Sequence, residues 1–263
     1  MDSSKKNVKL FLKTGLVVMS LVLMGGVIFR YGGTGYIATS SGADRKLPIY
    51  CVDRDDKKIS LSFDAAWGNE DTKNILDILA KHDVKVTFFM TGGWVSSFPE
   101  DVKAIAAAGH DLGNHSENHK QMSQLSAADC ESEIKAVHEK VKELTGIEMN
   151  LFRPPYGDYN NTVVETTNAL GYKCVQWDVD SLDWKDYGAD SIVNTVCNHK
   201  HLGSGSIILM HNGAKYTPAA LDTVITNLKA QGYELVPLSQ LLLDGQYGVD
   251  YEMDHEGRQG KAK

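Results

Sequence analysis

Short apolar stretches alternate with amphipathic stretches along most of the chain, from residue 57 to residue 236. The apolar stretches are rich in β-branched and aromatic residues and are typical of buried strands, whereas the amphipathic stretches repeat with helical spacing. Predicted strands cover residues 59–63, 84–90, a short segment ending near 115, 150–153, 172–177, 206–210 and 233–236. Predicted helices cover residues 69–82, 101–108, a long segment that begins after Ser126 and ends at Gly146, 162–170, 191–199 and 218–231.

This alternation predicts an α/β domain in which a parallel sheet is covered by helices. About seven strands over roughly 190 residues suit a short or incomplete (β/α) barrel. Polar residues lie at or just beyond the carboxyl ends of several predicted strands, and in such a barrel these ends converge on one face. We therefore expect one shared site built from Asp64, His115, Arg153, Asp180 with Asp183, and His211.

The N-terminal stretch differs from the rest of the chain because it shows no polar face. Residues 15–29 carry no charge, four lysines precede them and Arg30 follows them. With its apolar neighbours, this run approaches the ~20 residues that span a bilayer, and the lysines predict a cytoplasmic N-terminus. A cleaved signal peptide, with a small-residue site at 38–40, is the alternative. The expected organisation is a cytoplasmic basic tip at 1–14, a signal anchor (transmembrane helix) at 15–30, a tether at 31–56, an extracytoplasmic domain at 57–245 and a disordered tail at 246–263.

Charge and cysteine content narrow the choice of partners. The formal net charge is −7, which argues against nucleic acid and other polyanions. The four cysteines form no Cys-x-x-Cys pair, so a cysteine zinc site is not expected, and their spacing leaves a disulfide open. A neutral or amphoteric substrate fits this composition better, and no protein partner is predicted.

Two histidines four residues apart, His115 and His119, indicate a metal site. If the backbone between them makes a helical turn, both imidazoles lie on one face and can bind the same ion. The residues between them are polar, which excludes an apolar core stripe. Taken alone, the pair is also compatible with a solvated loop that happens to contain two histidines.

Four further polar motifs occur in order around this pair. Residues 63–68 (FDAAWG) precede it, and residues 153–157 (RPPYG), 180–184 (DSLDW) and 209–212 (LMHN) follow it. Together with residues 115–119 (HSENH), the set resembles the five motifs of the polysaccharide deacetylase family, which contains the NodB homology domain and forms carbohydrate esterase family 4. The resemblance covers residues 57–243. Within the family, the chain is most similar to sporulation-associated and peptidoglycan-modifying members.

The resemblance implies a deformed (β/α) barrel that removes N-acetyl groups from amino sugars with a divalent metal, zinc first and cobalt or manganese as alternatives. At the matching positions, Asp64 is the general base, His115 and His119 are metal ligands, and His211 is the general acid. Amide hydrolysis requires such a set of residues, because an amide is a poor electrophile with a poor leaving group. Its hydrolysis needs a base for the water, a Lewis acid for the carbonyl and an acid for the departing amine.

The same resemblance gives supporting roles to five other residues. Arg153 orients the base, and Asp183 tunes the catalytic histidine. The backbone N–H of Tyr156 helps to hold the oxyanion, Trp184 buttresses the site, and Leu209 lines the acetyl pocket.

One position departs from the family pattern. In most members a second aspartate follows the base and binds the metal, and here this position is Ala65. Because a catalytic zinc normally has three protein ligands, the third ligand is left to Asp64, to a nearby residue such as Asn114 or Glu117, or to water. We expect weaker metal affinity than in the usual members.

These observations predict a membrane-anchored hydrolase that removes N-acetyl groups from a cell-wall glycan, peptidoglycan first. The alternative, raised by Ala65, is a catalytically weakened or inactive glycan-binding or morphogenetic protein of the cell wall or spore. Hydrolysis of another C–N bond in a small amide is a third, weaker reading.

Overall fold

The computed structural model describes residues 45–262. The basic tip and the signal anchor predicted at residues 1–30, and the tether up to residue 44, lie outside the described residues. Within the described part of the chain, no helix combines the length and the apolar character needed to cross a bilayer.

Strands and helices alternate along the chain, as the hydrophobic pattern predicts. The strands are β1 (Cys51–Val52), β2 (Lys58–Ala65), β3 (Thr87–Met90), β4 (Asp111–Asn114), β5 (Leu151–Phe152), β6 (Lys173–Cys174), β7 (Val179–Asp180), β8 (Ile207–His211), β9 (Glu234–Leu235), β10 (Tyr251–Met253) and β11 (Arg258–Lys261). The α-helices are α1 (Thr72–Lys81), α2 (Gly92–Ser97), α3 (Pro99–Ala107), α4 (Ala127–Thr145), α5 (Asn161–Ala169), α6 (Ala189–Cys197), α7 (Thr217–Ala230) and α8 (Leu238–Leu241). Helix α2 and strand β7 are absent from the sequence prediction, because both are short and have no clear periodicity.

Seven parallel strands form one sheet in the order β6-β5-β4-β3-β2-β8-β7, and β9 pairs with the first residues of β2. The terminal strands β6 and β7 do not pair with each other among the described residues. Instead, Ile49 pairs with Val175 just after β6, and Cys51 pairs with Ser206 just before β8. The architecture is therefore an incomplete barrel with helices outside, which confirms the predicted α/β class and parallel sheet.

The alternation of side chains along β2 and β8 places the chemistry on the inner face of this sheet. Leu61 and Phe63 on β2 and Met210 on β8 belong to the hydrophobic cluster that the helices cover. Asp64 and His211 face the opposite way, because successive strand residues point to opposite faces. The two strands pair with Asp64 directly opposite His211. A carboxylate and an imidazole 147 positions apart in the sequence thus become neighbours.

Helix α4 follows the predicted start and stop signals. The Ser126 hydroxyl accepts a hydrogen bond from the Asp129 N–H and caps the helix, and Gly146 ends it in the left-handed conformation at φ 74°. Ile134 and Val137 are fully buried on its inner face. The capping residues therefore set this helix as the sequence predicts.

The prediction that the tail from residue 246 is disordered is wrong, because this segment forms two strands. Strands β10 and β11 form an antiparallel pair, and β11 also pairs in parallel with β1, which lies inside the predicted tether. Gln259 is fully buried, and its side chain bonds the N–H and the carbonyl of Leu243. Backbone pairing and a buried amide hold these strands, rather than apolar side chains. Their segments therefore do not show the apolar pattern by which strands are predicted.

The four cysteines are free thiols, and all four are buried. Burial raises the pKa of Cys51 and of Cys174 to about 12. They therefore act as small apolar side chains, and the disulfide that their spacing left open is not formed.

Candidate active site

A pocket of about 480 Å³ lies at the carboxyl ends of the parallel strands. This volume is in the range of small-molecule sites. Of the residues predicted from sequence to share a site, Arg153 and Asp183 lie fully buried behind the wall, and the others reach the surface of the pocket. The lining residues are Asp64, Trp67, His115, His119, Tyr156, Trp177, Asp180, Trp184, Leu209 and His211.

Asp64 forms a buried ion pair at one side of the pocket. Arg153 Nη1 donates to Asp64 Oδ1 over 2.7 Å, and Arg153 Nη2 donates to Ser62 Oγ over 2.8 Å. Burial alone would raise the pKa of Asp64, but the charge and hydrogen bond of Arg153, together with the charge of His211, outweigh burial and hold this pKa below its usual value. The carboxylate is therefore ionised, and its orientation is set by the guanidinium.

His115 is held in one tautomer by the backbone. Its Nδ1 lies 2.7 Å from the Arg153 carbonyl oxygen, and because a carbonyl only accepts, Nδ1 carries the proton. Its unprotonated Nε2 lies 3.4 Å from Asp64 Oδ2. Burial lowers the pKa of His115 to about 4, so the ring stays neutral. Two lone-pair atoms then face each other and require a cation or a water proton to bridge them.

His119 lies beside His115 with a ring-centroid separation of 5.0 Å. Burial lowers the pKa of His119 as well, so both imidazoles are in the neutral form that binds metals. The donor atoms of this pair fit a divalent metal ion, and neutral imidazole suits zinc and other transition metals.

Of the side chains that the sequence left open as a third ligand, Asp64 alone lines the pocket together with His115 and His119. Ala65 is fully buried in the hydrophobic cluster under the helices and offers no donor. Asn114 uses both ends of its side chain, on the Ser116 N–H and on a backbone carbonyl of α4, and Glu117 pairs with Lys140. Asn114 is therefore not available as a ligand. Glu117 has a second carboxylate oxygen that is buried without a hydrogen-bond partner, but this residue does not line the pocket. Within residues 45–262, no group of three or more His, Cys, Asp or Glu side chains is arranged to hold a metal ion.

His211 and Asp183 form the opposite side of the pocket. Asp183 is fully buried; its Oδ1 accepts from His211 Nδ1 over 2.7 Å, and its Oδ2 accepts from the His211 N–H over 2.7 Å and from Thr217 Oγ1 over 2.6 Å. Burial would lower the pKa of His211, but the Asp183 carboxylate outweighs burial and raises it. With Nδ1 held by Asp183, the remaining ring nitrogen is the one that can donate a proton in the pocket.

Aromatic side chains form the rim of the pocket. Trp67 is 44% exposed, Trp184 51% and Tyr156 66%. Trp67 stacks on His211 with ring centroids 5.3 Å apart, and Tyr156 packs edge-on against His119 at 4.5 Å. The sequence pointed to Trp184 and Tyr156 but not to Trp67 or Thr217. Trp67 could have been found from its position in the first motif, residues 63–68. No sequence motif contains Thr217, so nothing in the sequence indicated it.

Comparison with known proteins agrees with this geometry. The family model for polysaccharide deacetylase matches residues 52–175. The peptidoglycan-N-acetylmuramic acid deacetylase PdaA of Bacillus subtilis is 35% identical over 204 residues, which are 74% of this chain and 75% of PdaA. The peptidoglycan-N-acetylglucosamine deacetylase PgdA of Listeria monocytogenes is 37% identical over 196 residues, which are 74% of this chain and 41% of PgdA.

A solved structure from Bacillus anthracis, described as a CE4 family pseudoenzyme, superposes with a TM-score of 0.71 at 35% identity, covering 74% of this chain and 68% of that chain. A mutant of the same protein is described as having restored enzymatic activity. The similarity thus extends to relatives named as deacetylases and to one whose wild-type form is named a pseudoenzyme. With the family's motifs gathered at one pocket and PdaA matched at 35% identity over 75% of its length, the chain belongs to the polysaccharide deacetylase family.

Proposed function

We propose that this chain is a metal-dependent hydrolase that removes N-acetyl groups from the amino sugars of a cell-wall glycan, with peptidoglycan as the substrate class. The observation that carries the proposal is the direct pairing of Asp64 with His211 across β2 and β8. An ionised carboxylate and a histidine with a raised pKa then face one pocket from adjacent positions. Named activities of relatives such as PdaA and PgdA support peptidoglycan as the substrate.

The residues divide the work of amide hydrolysis between them. Asp64 accepts the proton of the attacking water, and Arg153 holds the carboxylate ionised and aimed at that water. His211 donates a proton to the departing amine, and Asp183 stabilises the imidazolium form that does so. A divalent metal, zinc or alternatively cobalt or manganese, held by His115 and His119, would polarise the acetyl carbonyl and lower the pKa of bound water.

The rim residues position the sugar in this proposal. Trp67 and Trp184 offer exposed ring faces on which a pyranose can stack. Leu209 is nearly buried at the pocket wall and suits the acetyl methyl group. The backbone N–H of Tyr156 is assigned to the developing oxyanion.

We also propose that the domain works outside the cytoplasm, anchored by residues 15–30. The support is the uncharged run at 15–29 and a substrate that lies outside the membrane. Full-length protein should fractionate with membranes, and protease added to intact protoplasts should digest the domain. A soluble cytoplasmic protein that resists the protease would contradict this location.

A second candidate is a glycan-binding protein with weakened or lost turnover. Ala65 and the missing third ligand favour it, and the B. anthracis pseudoenzyme shows that similar chains can be inactive. This candidate predicts retention on insoluble cell wall without acetate release under any metal. The two candidates therefore differ in one measurable product.

The test is acetate release from N-acetylated peptidoglycan by the full-length chain supplied with zinc, cobalt or manganese. Asp64→Asn and His211→Ala should each lower the rate by about 10²–10⁴-fold, the usual contribution of a general base or acid. His255→Ala, at an exposed imidazole in the β10–β11 turn, is the matched control and should leave the rate unchanged. Equal rates in all four proteins would remove the mechanism, and no acetate from any of them would favour the binding protein.

A further inference from the structure

The two metal-binding candidates are held in different ways. The His115 ring is anchored through Nδ1 to a backbone carbonyl at 2.7 Å. The His119 ring has no hydrogen-bond partner within residues 45–262 and touches its neighbours only through ring edges. His119 also adopts a left-handed backbone at φ 52°, which non-glycine residues rarely adopt. The position of its imidazole therefore depends on the backbone of residues 115–120, which we call the histidine loop.

One side chain outside the motifs binds the histidine loop on both sides of His119. Glu133 on helix α4 accepts from the Asn118 N–H over 2.8 Å and from Asn118 Nδ2 over 2.9 Å. Its carboxylate also pairs with Lys120 Nζ at 2.8 Å. The residues immediately before and after His119 are thus held by a single carboxylate.

Glu133 occupies a position where an apolar residue would be expected from the pattern of α4. Its side chain is 5% exposed, and the next inward residues, Ile134 and Val137, are fully buried. A buried charge is unfavourable unless it is paired and hydrogen-bonded. Burial would raise the pKa of Glu133, but Lys120 and Asn118 outweigh it and hold this pKa below its usual value. The carboxylate is therefore ionised and fully engaged with the loop.

Helix α4 makes one further contact with the histidine loop and one with the residue that precedes it. Lys140 pairs with Glu117, and Asn114, which precedes the loop, donates to the Ile134 carbonyl over 2.7 Å. These contacts hold the first half of the loop, next to the ring that is already anchored. Glu133 alone among these residues reaches the half that carries His119.

We propose that Glu133 is a positioning residue that fixes the His119 imidazole for metal binding through the backbone of the histidine loop. The inference rests on the proposed function, because it takes His115 and His119 as the metal ligands. It assigns to an outer helix a role in metal affinity that no motif residue supplies.

The test measures zinc affinity of the metal-free full-length chain by competition with a chelating dye, together with hydrogen–deuterium exchange of the peptide that spans residues 115–120. In Glu133→Gln, an NH₂ group replaces one carboxylate oxygen, so a donor on Asn118 or Lys120 loses its acceptor. We expect the zinc Kd to rise by about 10–100-fold, the usual effect of losing a supporting partner, and the loop amides to exchange faster. Glu139→Gln, at an exposed position of the same helix, should match the wild type in both measurements.

Asn118→Ala keeps the experiment decisive if Glu133→Gln does not fold, because Asn118 is exposed and its loss leaves the core intact. It should weaken zinc binding by a smaller factor. Wild-type zinc affinity in Glu133→Gln, or in Asn118→Ala where that variant decides, overturns the inference, as does an equal loss in Glu139→Gln. If the wild type releases acetate and Glu133→Gln binds zinc with wild-type affinity, only the positioning role of Glu133 is disproved. A wild type that neither binds zinc nor releases acetate removes the proposed function and the inference together.

Discussion

The pocket has an acid side, formed by His211 and Asp183, and a metal side, formed by His115 and His119. The side chains of the acid side are held by more hydrogen bonds than those of the metal side. On the acid side, Asp183 accepts three hydrogen bonds, two of them from His211, and is fully buried. On the metal side, one imidazole is anchored, the other is held only through its loop, and Ala65 offers no donor. The two sides face the same pocket, and in the proposed mechanism they serve the same reaction.

The difference has a structural origin. The acid side rests on the register of β2 with β8 and on a buried carboxylate, so it is set by the sheet itself. The metal side rests on the histidine loop, in which Ser116 and His119 both have positive φ. Under the proposed function, we therefore expect metal binding to be the weaker part of the site. Each of the following predictions changes one side and leaves the other as a reference.

Removing the guanidinium that holds the base should have the largest effect. Arg153→Met leaves Asp64 buried without its counter-charge, which we expect to destabilise the fold by about 3–5 kcal/mol. The pKa of Asp64 would rise, and loss of the base should lower the rate of acetate release by about 10²–10⁴-fold. Urea unfolding and acetate release measure both effects. Arg54→Met removes a partly exposed ion pair with Asp56 and should cost about 1 kcal/mol or less; similar losses in both variants would contradict this view of the base.

Neutralising the partner of the acid should change the pH dependence. Asp183 raises the pKa of His211, so the protonated acid persists to higher pH and is lost as pH rises through that pKa. Asp183→Asn should move the alkaline limb of kcat to lower pH and reduce kcat at neutral pH by about 10–100-fold, the worth of a charged hydrogen bond. Zinc affinity should not change. Asp186→Asn, at an exposed position three residues away, is the control, and an unshifted alkaline limb in Asp183→Asn would remove His211 as the acid.

Adding a carboxylate on the metal side should raise zinc affinity and lower the stability of the metal-free protein. Ala65 is the last residue of β2, so in Ala65→Asp we expect bound zinc to turn the new carboxylate out of the apolar cluster and toward the two histidines. Zinc affinity should then rise roughly tenfold, which corresponds to 1.4 kcal/mol, and acetate release should rise with it at low zinc. Ala65 is fully buried among apolar residues, so without metal the new carboxylate should cost about 2 kcal/mol and lower Tm by about 4–8 °C. Thermal unfolding with and without zinc measures this. A variant with unchanged zinc affinity would place the limit elsewhere.

The smallest effect should come from the rim. Trp67→Leu removes a ring face at the pocket, and we expect KM to rise about 2–10-fold, in line with ~0.5–1.5 kcal/mol for an aromatic contact. Zinc affinity should stay the same. Tyr187→Leu removes an exposed ring that does not line the pocket, and it should leave KM unchanged. Equal KM values for both variants would exclude Trp67 as a sugar contact.

Local patterns in the sequence were sufficient where local rules decide the structure. The alternation along β2 and the caps of α4 follow from side-chain period and capping chemistry. The gathering of Asp64, His115, Arg153 and His211 at one pocket follows from the strand-end rule for parallel sheets. Strands β10 and β11 were missed, because β10 pairs with β11, and β11 pairs with β1 some 200 residues away, at Cys51 and Val52. No local pattern records such long-range pairing.

The α/β architecture, the family and the candidate reacting groups could all be inferred from the sequence, since these follow from periodicity and from ordered motifs. Long-range packing in the folded chain decided the tautomer of His115, the opposite pKa directions of His115 and His211, and the absence of Asn114 and Glu117 from the pocket lining. It also decided the place of Glu133 beneath the histidine loop. The physical reason is that protonation, ligation and loop support depend on burial and on distances of about 3 Å between groups far apart in the chain.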